Sequence, residues 1–347
     1  MNVKLTLKTS RIVSGILSVC LLLGWSPLKV AMAQTTLPVV QSAPVVPGTG
    51  VAVKKVGDDF EDVNWKFKHY FPKSSKNLDK RERSPGGESA NDRWYEGIKR
   101  GQPDVIRRVA TPAGGLAGSQ GSLLLQSLQT GIPGKKTYQQ QQDDFIANVH
   151  YLLGGTVPVS QTPNVVVRVY LPPLSQWENR IGCHFAFRSS CVADAYKRPK
   201  TPFGGRREHE LYWPGFFLDL ESKEESGTKQ RYATWRIRAN RSGNDFNGLE
   251  IHQTGWWTLG MSVTPDGRFH YYAKAGIDKL TKDDYITSQS PYGFRALQFR
   301  TFFFNVCNGD DGRNWSTPWI IDDPTLYYVP VKKPISAIPP AATRGSR

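Results

Sequence analysis

Apolar and polar positions alternate along this chain with a period of two, in short runs separated by Gly, Pro, Asn and Asp, and this pattern predicts strands rather than helices. The fullest example covers residues 256–274. Trp257, Leu259, Met261 and Val263 alternate with Trp256, Thr258, Gly260 and Ser262; Thr264-Pro265-Asp266-Gly267 turns the chain; Phe269, Tyr271 and Ala273 then alternate with Arg268, His270, Tyr272 and Lys274. Proline fixes φ, aspartate caps the turn and glycine accepts a positive φ, so the stretch predicts an antiparallel hairpin with one core face and one polar face free for function.

Shorter runs predict strands at 59–63, 122–127, 145–151, 165–171, 184–188, 216–221, 232–239, 297–306 and 325–329. Long helical periodicity is nearly absent, and residues 92–100 are the best local candidate for a turn or two of helix. So many strands without alternating helices predict an all-β chain folded as two packed antiparallel sheets. Residues 67–102, polar and rich in Lys, Arg, Ser and Gly, read as a long insertion, and long insertions in compact domains tend to carry function.

The ends differ from the middle. Residues 1–33 read as an export signal: Lys4, Lys8 and Arg11 precede the apolar run 12–23, and Ala31-Met32-Ala33 precedes Gln34 as a small-x-small cleavage site. Export to the outside or to the periplasm and envelope is therefore expected. The apolar run is short for a membrane span and no later stretch approaches the roughly 20 residues a span needs, so no transmembrane anchor is expected. Residues 34–55 read as a Pro/Val-rich linker, 56–330 as the sandwich domain and 331–347 as a disordered tail.

The chain holds 45 Lys and Arg against 30 Asp and Glu. Signal removal takes away Lys4, Lys8, Arg11 and Lys29, so 45 basic residues become 41 against 30 acidic, a net charge of +11. That bias favours polyanions, which outside the cytoplasm are mainly acidic or sulfated polysaccharides, with nucleic acid a second choice. Cys183, Cys191 and Cys307 remain after cleavage. Cys183 and Cys191 flank a segment short enough for a tight disulfide that leaves Cys307 as a buried thiol, and three reduced thiols are the alternative.

Phe60-Glu61-Asp62 with Trp65, then Gly121-Ser122-Leu123-Leu124, then the W-T-L-x-M-x-V-T-P-D-G-R hairpin, then Trp319-Ile320-Ile321-Asp322-Asp323-Pro324-Thr325-Leu326 resemble, in that order, the concanavalin A-like lectin/glucanase superfamily and related carbohydrate-binding jelly rolls. The resemblance implies a curved jelly-roll sandwich whose concave sheet holds sugar. It also implies a structural calcium joining the first and last strands, for which Glu61, Asp322 and Asp323 supply hard oxygen ligands.

Two catalytic readings follow from the resemblance. The retaining glucanase branch carries an E-x-D-x-E strand, and here Phe217 stands at the nucleophile position, leaving Asp219 and Glu221. A phenyl ring cannot form the glycosyl ester that retaining chemistry needs. The alginate-lyase-like branch carries R-x-E-L-R, Q-I-H and Y-F-K-A-G-V-Y strands, matched in part by Arg207 to Leu211, Glu250-Ile251-His252 and Tyr271 to Gly276. Arg207, His252, Tyr272 and Lys274 have the chemistry β-elimination requires, a cation for the uronate carboxylate and a group to move the C5 proton. Glu250 replaces the amide and the first motif carries an extra residue, so binding without chemistry ranks ahead of a lyase.

For binding, exposed rings stack on sugar faces, and Trp94, Tyr95, Trp213, Trp256, Tyr292 and Trp315 lie beside turns or alternate with polar residues. An exported polysaccharide-binding sandwich is the leading expectation. A lyase or, after it, a hydrolase on the same scaffold comes next, and a structural envelope protein third.

Overall fold

The computed structural model describes residues 41–197, 206–225, 228–239 and 242–331. The expected export signal at 1–33, nearly all of the expected tail and part of the expected linker lie outside the described residues. In chain order the strands are β1 (Val51–Gly57), β2 (Phe67–Lys68), β3 (Glu88–Ser89), β4 (Trp94–Glu96), β5 (Val105–Ala110), β6 (Gly121–Gln126), β7 (Gln141–Ala147), β8 (Val157–Pro158), β9 (Asn164–Leu171) and β10 (Gly182–Lys197). They continue with β11 (Arg206–Tyr212), β12 (Gly215–Glu225), β13 (Thr228–Arg238), β14 (Asp245–Ile251), β15 (Gly255–Val263), β16 (Phe269–Ala275), β17 (Tyr285–Gln289), β18 (Arg295–Asn308) and β19 (Trp319–Tyr328).

These strands form two antiparallel sheets, and the chain passes repeatedly from one to the other, as a jelly roll requires. Sheet A runs β17-β16-β15-β9-β19-β6-β5, with β1 also on β19. Sheet B runs β14-β13-β12-β10-β18-β7-β4-β3-β2, with β11 on β10 and β8 on β18. The expected two-sheet jelly-roll sandwich is what forms. Its core lies where the apolar phase of each strand turns inward. Phe185 and Phe187 of β10, Phe216 and Leu218 of β12, Trp235 of β13 and Phe302 and Phe304 of β18 meet Val167 and Val169 of β9, Leu259 and Met261 of β15 and Tyr271 of β16.

Several local expectations are corrected. Residues 59–63 form no strand, because Asp58 accepts the Phe60 N–H and Asp62 accepts the Asn64 N–H, turning the backbone on itself. The run 145–151 is strand only to Ala147 and then a short helix, α1 (Val149–Leu153). The helical candidate at 92–100 contains β4 instead. Trp94 and Glu96 are buried and Tyr95 between them is exposed, a period of two that outweighs helix propensity once the ladder to β7 forms. The described part of the linker is not free, because Val51–Gly57 is strand β1.

The polar face of the 256–274 hairpin is also covered. Residues 42–48 lie over it: Ser42 N donates to Asp266 Oδ2 at 3.0 Å, Ser262 Oγ donates to the Val45 carbonyl at 2.6 Å, and Gly48 N donates to Asn164 Oδ1 at 2.7 Å. Gly260 makes the fit possible, since a Cβ there would fall 2.6 Å from Pro47. Tyr272 packs into a small apolar cluster with Val166, Leu280, Val46 and Tyr327. His270 is fully buried between the hydroxyls of Thr264, at 2.7 Å, and Ser288, at 2.6 Å.

Candidate functional site

Sheet B keeps an open outer face. Along β10, β12, β13 and β18 the residues alternate with the core phenylalanines, so Ala186, Arg188, Phe217, Asp219, Arg236, Arg238, Phe303 and Asn305 point away from sheet A. Two adjoining hollows occupy this face. One, of about 440 Å³, is floored by Arg188, Phe217, Asp219, Asn305, Arg238 and Asp245, with Arg100 at its rim. The other, of about 300 Å³, is walled by Tyr95, Ile98, Lys99, Trp213, Ile146 and Phe303. They meet where Asn305 Nδ2 donates to Asp144 Oδ1 at 2.6 Å. The insertion 67–102 contributes Tyr95, Ile98, Lys99 and Arg100, so it extends the groove.

Arg188 is the central side chain. Its guanidinium carbon lies 5.0 Å from the Phe217 ring centre and 5.4 Å from that of Phe303, and one Nη donates to the Trp213 carbonyl at 2.8 Å. Its Nε is buried and has no hydrogen-bond partner among the described residues. Burial lowers the Arg188 pKa to about 10, with the nearby Asp144 carboxylate opposing that shift.

The acids of this face are distributed unevenly. Burial raises the Asp144 pKa against the pull of its hydrogen bonds from Gln142 and Asn305 and of the charges on Arg100 and Arg188. Burial also raises that of Asp219, one of whose oxygens accepts from Arg236 Nη1 at 2.8 Å. The other, Oδ1, has no N–H or O–H donor among the described residues, and the Cys183 thiol lies beside it. Asp245 binds both Arg236, at 3.4 Å, and Arg238, at 3.2 Å. Arg236 Nε and Asn305 Oδ1 are likewise buried and unpartnered among the described residues. A buried polar atom without a partner costs about 1–3 kcal/mol, and an incoming ligand that pairs it recovers that cost.

Asp144 and Asp219 cannot act as one catalytic pair. They stand on β7 and β12, three strand spacings apart, or about 14 Å, beyond the separations that glycoside hydrolysis uses. Glu221, the other acid of the expected strand, accepts the Tyr232 and Thr234 hydroxyls at 2.9 and 2.8 Å.

The expected lyase constellation does not assemble. Arg207 lies on the β11 branch, paired with Asp194 and largely exposed. His252 stands past the end of β14, 81% exposed and 3.9 Å from Glu250. Tyr272 is buried on sheet A, and Lys274, also on sheet A, donates to the Lys279 carbonyl at 2.7 Å. Two members on each sheet cannot close on one sugar ring.

Of the expected sugar-stacking residues, Tyr95 and Trp213 line the groove together, and Tyr292 reaches it through a 3.3 Å hydrogen bond from Arg238. Trp94 is core, stacked on Phe145 at 4.5 Å. Trp256 is buried on sheet A, donating to the Pro112 carbonyl. Trp315 is exposed in a separate polar hollow near Arg180 and Asn314. The expectation missed Arg188, Phe217, Asn305 and Asp144. The signal for them is a polar or lone aromatic residue at alternate positions within otherwise apolar strands, as Arg188 in Phe185-Ala186-Phe187-Arg188.

Glu61, Asp322 and Asp323 do not fit a calcium ion. Glu61 accepts the Gln120 and Gly121 N–H groups, Asp322 accepts the Ser119 hydroxyl, and Asp323 pairs with Arg168 at 3.1 Å. Burial pushes Asp322 up to about 7, and no cluster of three or more acidic, His or Cys side chains suited to a metal occurs among the described residues. No helix among the described residues is long and apolar enough to cross a membrane.

No family model and no curated protein matches this chain. Among solved structures, it is similar to a GH131 β-glucanase catalytic domain from Podospora anserina, at 9% identity and a TM-score of 0.35 over 71% of this chain and 81% of that one. It is similar also to an alginate lyase from Pseudomonas aeruginosa, at 9% identity and a TM-score of 0.33, over 65% and 87% of the two chains. A third is the exoplasmic/lumenal domain of VIP36 in a calcium- and Man3GlcNAc-bound form, at 11% identity and a TM-score of 0.31, over 67% and 87%. Likeness at this level assigns neither a ligand nor a reaction to this chain.

Proposed function

We propose that this is an exported protein that binds an anionic polysaccharide along the open face of sheet B. One observation carries the reading. Arg188 Nε and Asn305 Oδ1 are buried and unpartnered on one floor, which Phe217 shares, beneath a groove walled by Trp213 and Tyr95. Rings present flat apolar surface to sugar faces, while guanidinium donors and an amide oxygen take carboxylate or sulfate and hydroxyl groups.

Charge supports the anionic class. Arg188, Arg100 and Lys99 all act on the single carboxyl of Asp144, whose burial favours its neutral form, so this part of the groove carries surplus positive charge. Lys99 lies 4.1 Å from the Trp213 ring centre, which places a cation beside a stacking platform.

The test is retention of the protein on immobilised neutral, uronic and sulfated polysaccharides, with single-stranded DNA as a polyanion control and product formation followed in parallel. Retention by uronic or sulfated glycans, released by free glycan, supports the reading. Retention by DNA alone, or by no polymer, refutes it.

A further inference from the structure

The two groove-facing cysteines are not the pair that flank the short segment. Cys191 points into the core and is fully buried, whereas Cys183 and Cys307 both line the larger hollow with their sulfurs 4.0 Å apart. A β-bulge produces this meeting. In the ladder between β10 and β12, Cys183 faces Asp219 but Phe185 already faces Leu218, so one extra residue is inserted at His184. Strict alternation from Arg188 and Ala186 would put His184 on the groove. The bulge instead sends His184 inward against Trp177, at 5.5 Å between ring centres, and leaves Cys183 facing outward. On the neighbouring β18, Cys307 follows Phe303 and Asn305 on the outward phase, and the two thiols meet diagonally across adjacent strands.

We propose that Cys183 and Cys307 are a disulfide-forming site that staples the two central strands of sheet B beneath the groove. The sulfurs need to close from 4.0 Å to about 2.05 Å, and cysteines on hydrogen-bonded neighbouring strands can do this by side-chain rotation. The inference holds whatever the groove binds.

With oxidised glutathione as oxidant, the step balances. Cys183, the more accessible of the two, attacks one glutathione sulfur as its thiolate; the glutathione disulfide breaks, and one glutathione leaves with the electron pair. Cys307 then attacks Cys183 Sγ and expels the second glutathione. Two protein thiols are oxidised, one glutathione disulfide is reduced to two thiols, and the two thiol protons pass to them. The adjacent Cys307 thiol and burial hold Cys183 well above the ordinary thiol range, so exchange is slow near neutral pH and quickens as pH rises.

The experiment exposes the full chain, natively folded, to oxidised glutathione at pH 8, then quenches with acid, alkylates, digests without reduction and maps the peptides by mass spectrometry. The expected result is a peptide containing Cys183 linked to one containing Cys307, an intact mass lower by two hydrogens, and reversal by dithiothreitol. Cys307→Ser should convert the product to a glutathione adduct on Cys183. Recovery of Cys183 and Cys307 as alkylated or glutathionylated residues in the unaltered chain, or a link from Cys183 to Cys191, overturns the proposal.

Discussion

The Arg188 guanidinium carbon stands 5.0 Å from the centre of the Phe217 ring, on the adjacent strand of sheet B. The ring screens one face of the guanidinium from water, and Phe303 approaches it at 5.4 Å, so the charge is held in place before any ligand arrives. Phe217→Ala removes both this positioning and the ring's own sugar contact. We expect roughly tenfold weaker binding of a uronic or sulfated chain, about 1.4 kcal/mol, with the fold retained. Isothermal titration measures the first and far-ultraviolet circular dichroism the second.

Trp94 and Tyr95 are chain neighbours with opposite duties. Trp94 is fully buried and stacked on Phe145, so Trp94→Ala should cost about 3–5 kcal/mol of stability. Tyr95 is exposed on the groove wall, so Tyr95→Ala should weaken glycan binding while its urea midpoint stays close to that of the parent. Equal midpoints for the two variants would contradict the phase of β4 described above.

How much of this was legible in the sequence follows from what a period of two can and cannot say. Alternation gives the strands and their core phase, as in β9, β12 and β18, because burying one face is local to each strand. It does not say what covers the other face. The hairpin's polar side looked open, yet residues 42–48 lie across it, a contact spanning more than 200 residues that no local pattern encodes. Arg188 is the reverse case: a single charge in an apolar strand looked like a strand end, and the groove appears only when β7, β10, β12 and β18 lie side by side. The carboxylates near the first and last strands are each held by other protein groups, Glu61 by backbone amides, Asp322 by Ser119 and Asp323 by Arg168.

The covering segment gives its own test. Gly260→Val places side-chain atoms where Pro47 and Leu280 already lie, so it should destabilise the protein by about 1–3 kcal/mol. Because this cover is on sheet A, glycan affinity at 25 °C should be unchanged. Thermal unfolding and titration of the same sample separate the two.

His184 and His270 are both fully buried, and burial lowers each pKa to about 4. As pH falls below 6.5, the usual histidine value, the unfolded chain takes up protons that these native side chains refuse. The stability they contribute above pH 6.5 is therefore lost progressively down to about pH 4, by an order of 3 kcal/mol per histidine. Histidine ring-proton titration by NMR should show two signals titrating near pH 4, and His270→Asn should remove one of them and flatten the acid side of the stability curve.

Salt separates charge from shape. If the surplus cations of the groove attract the ligand, affinity should fall as ionic strength rises, and Arg100→Gln should reduce that dependence, because Arg100 lies on the rim. A neutral glycan bound with salt-independent affinity would leave the rings in place and remove the anionic specificity.

The most direct test titrates a uronic or sulfated polysaccharide into the parent protein and into Arg188→Met, which keeps the apolar stem between Phe217 and Phe303 but removes the charge and the unpartnered Nε. The account predicts at least roughly tenfold weaker binding by the variant, about 1.4 kcal/mol, with the cooperative thermal transition retained. Equal affinity for the two proteins would contradict binding on the open face of sheet B.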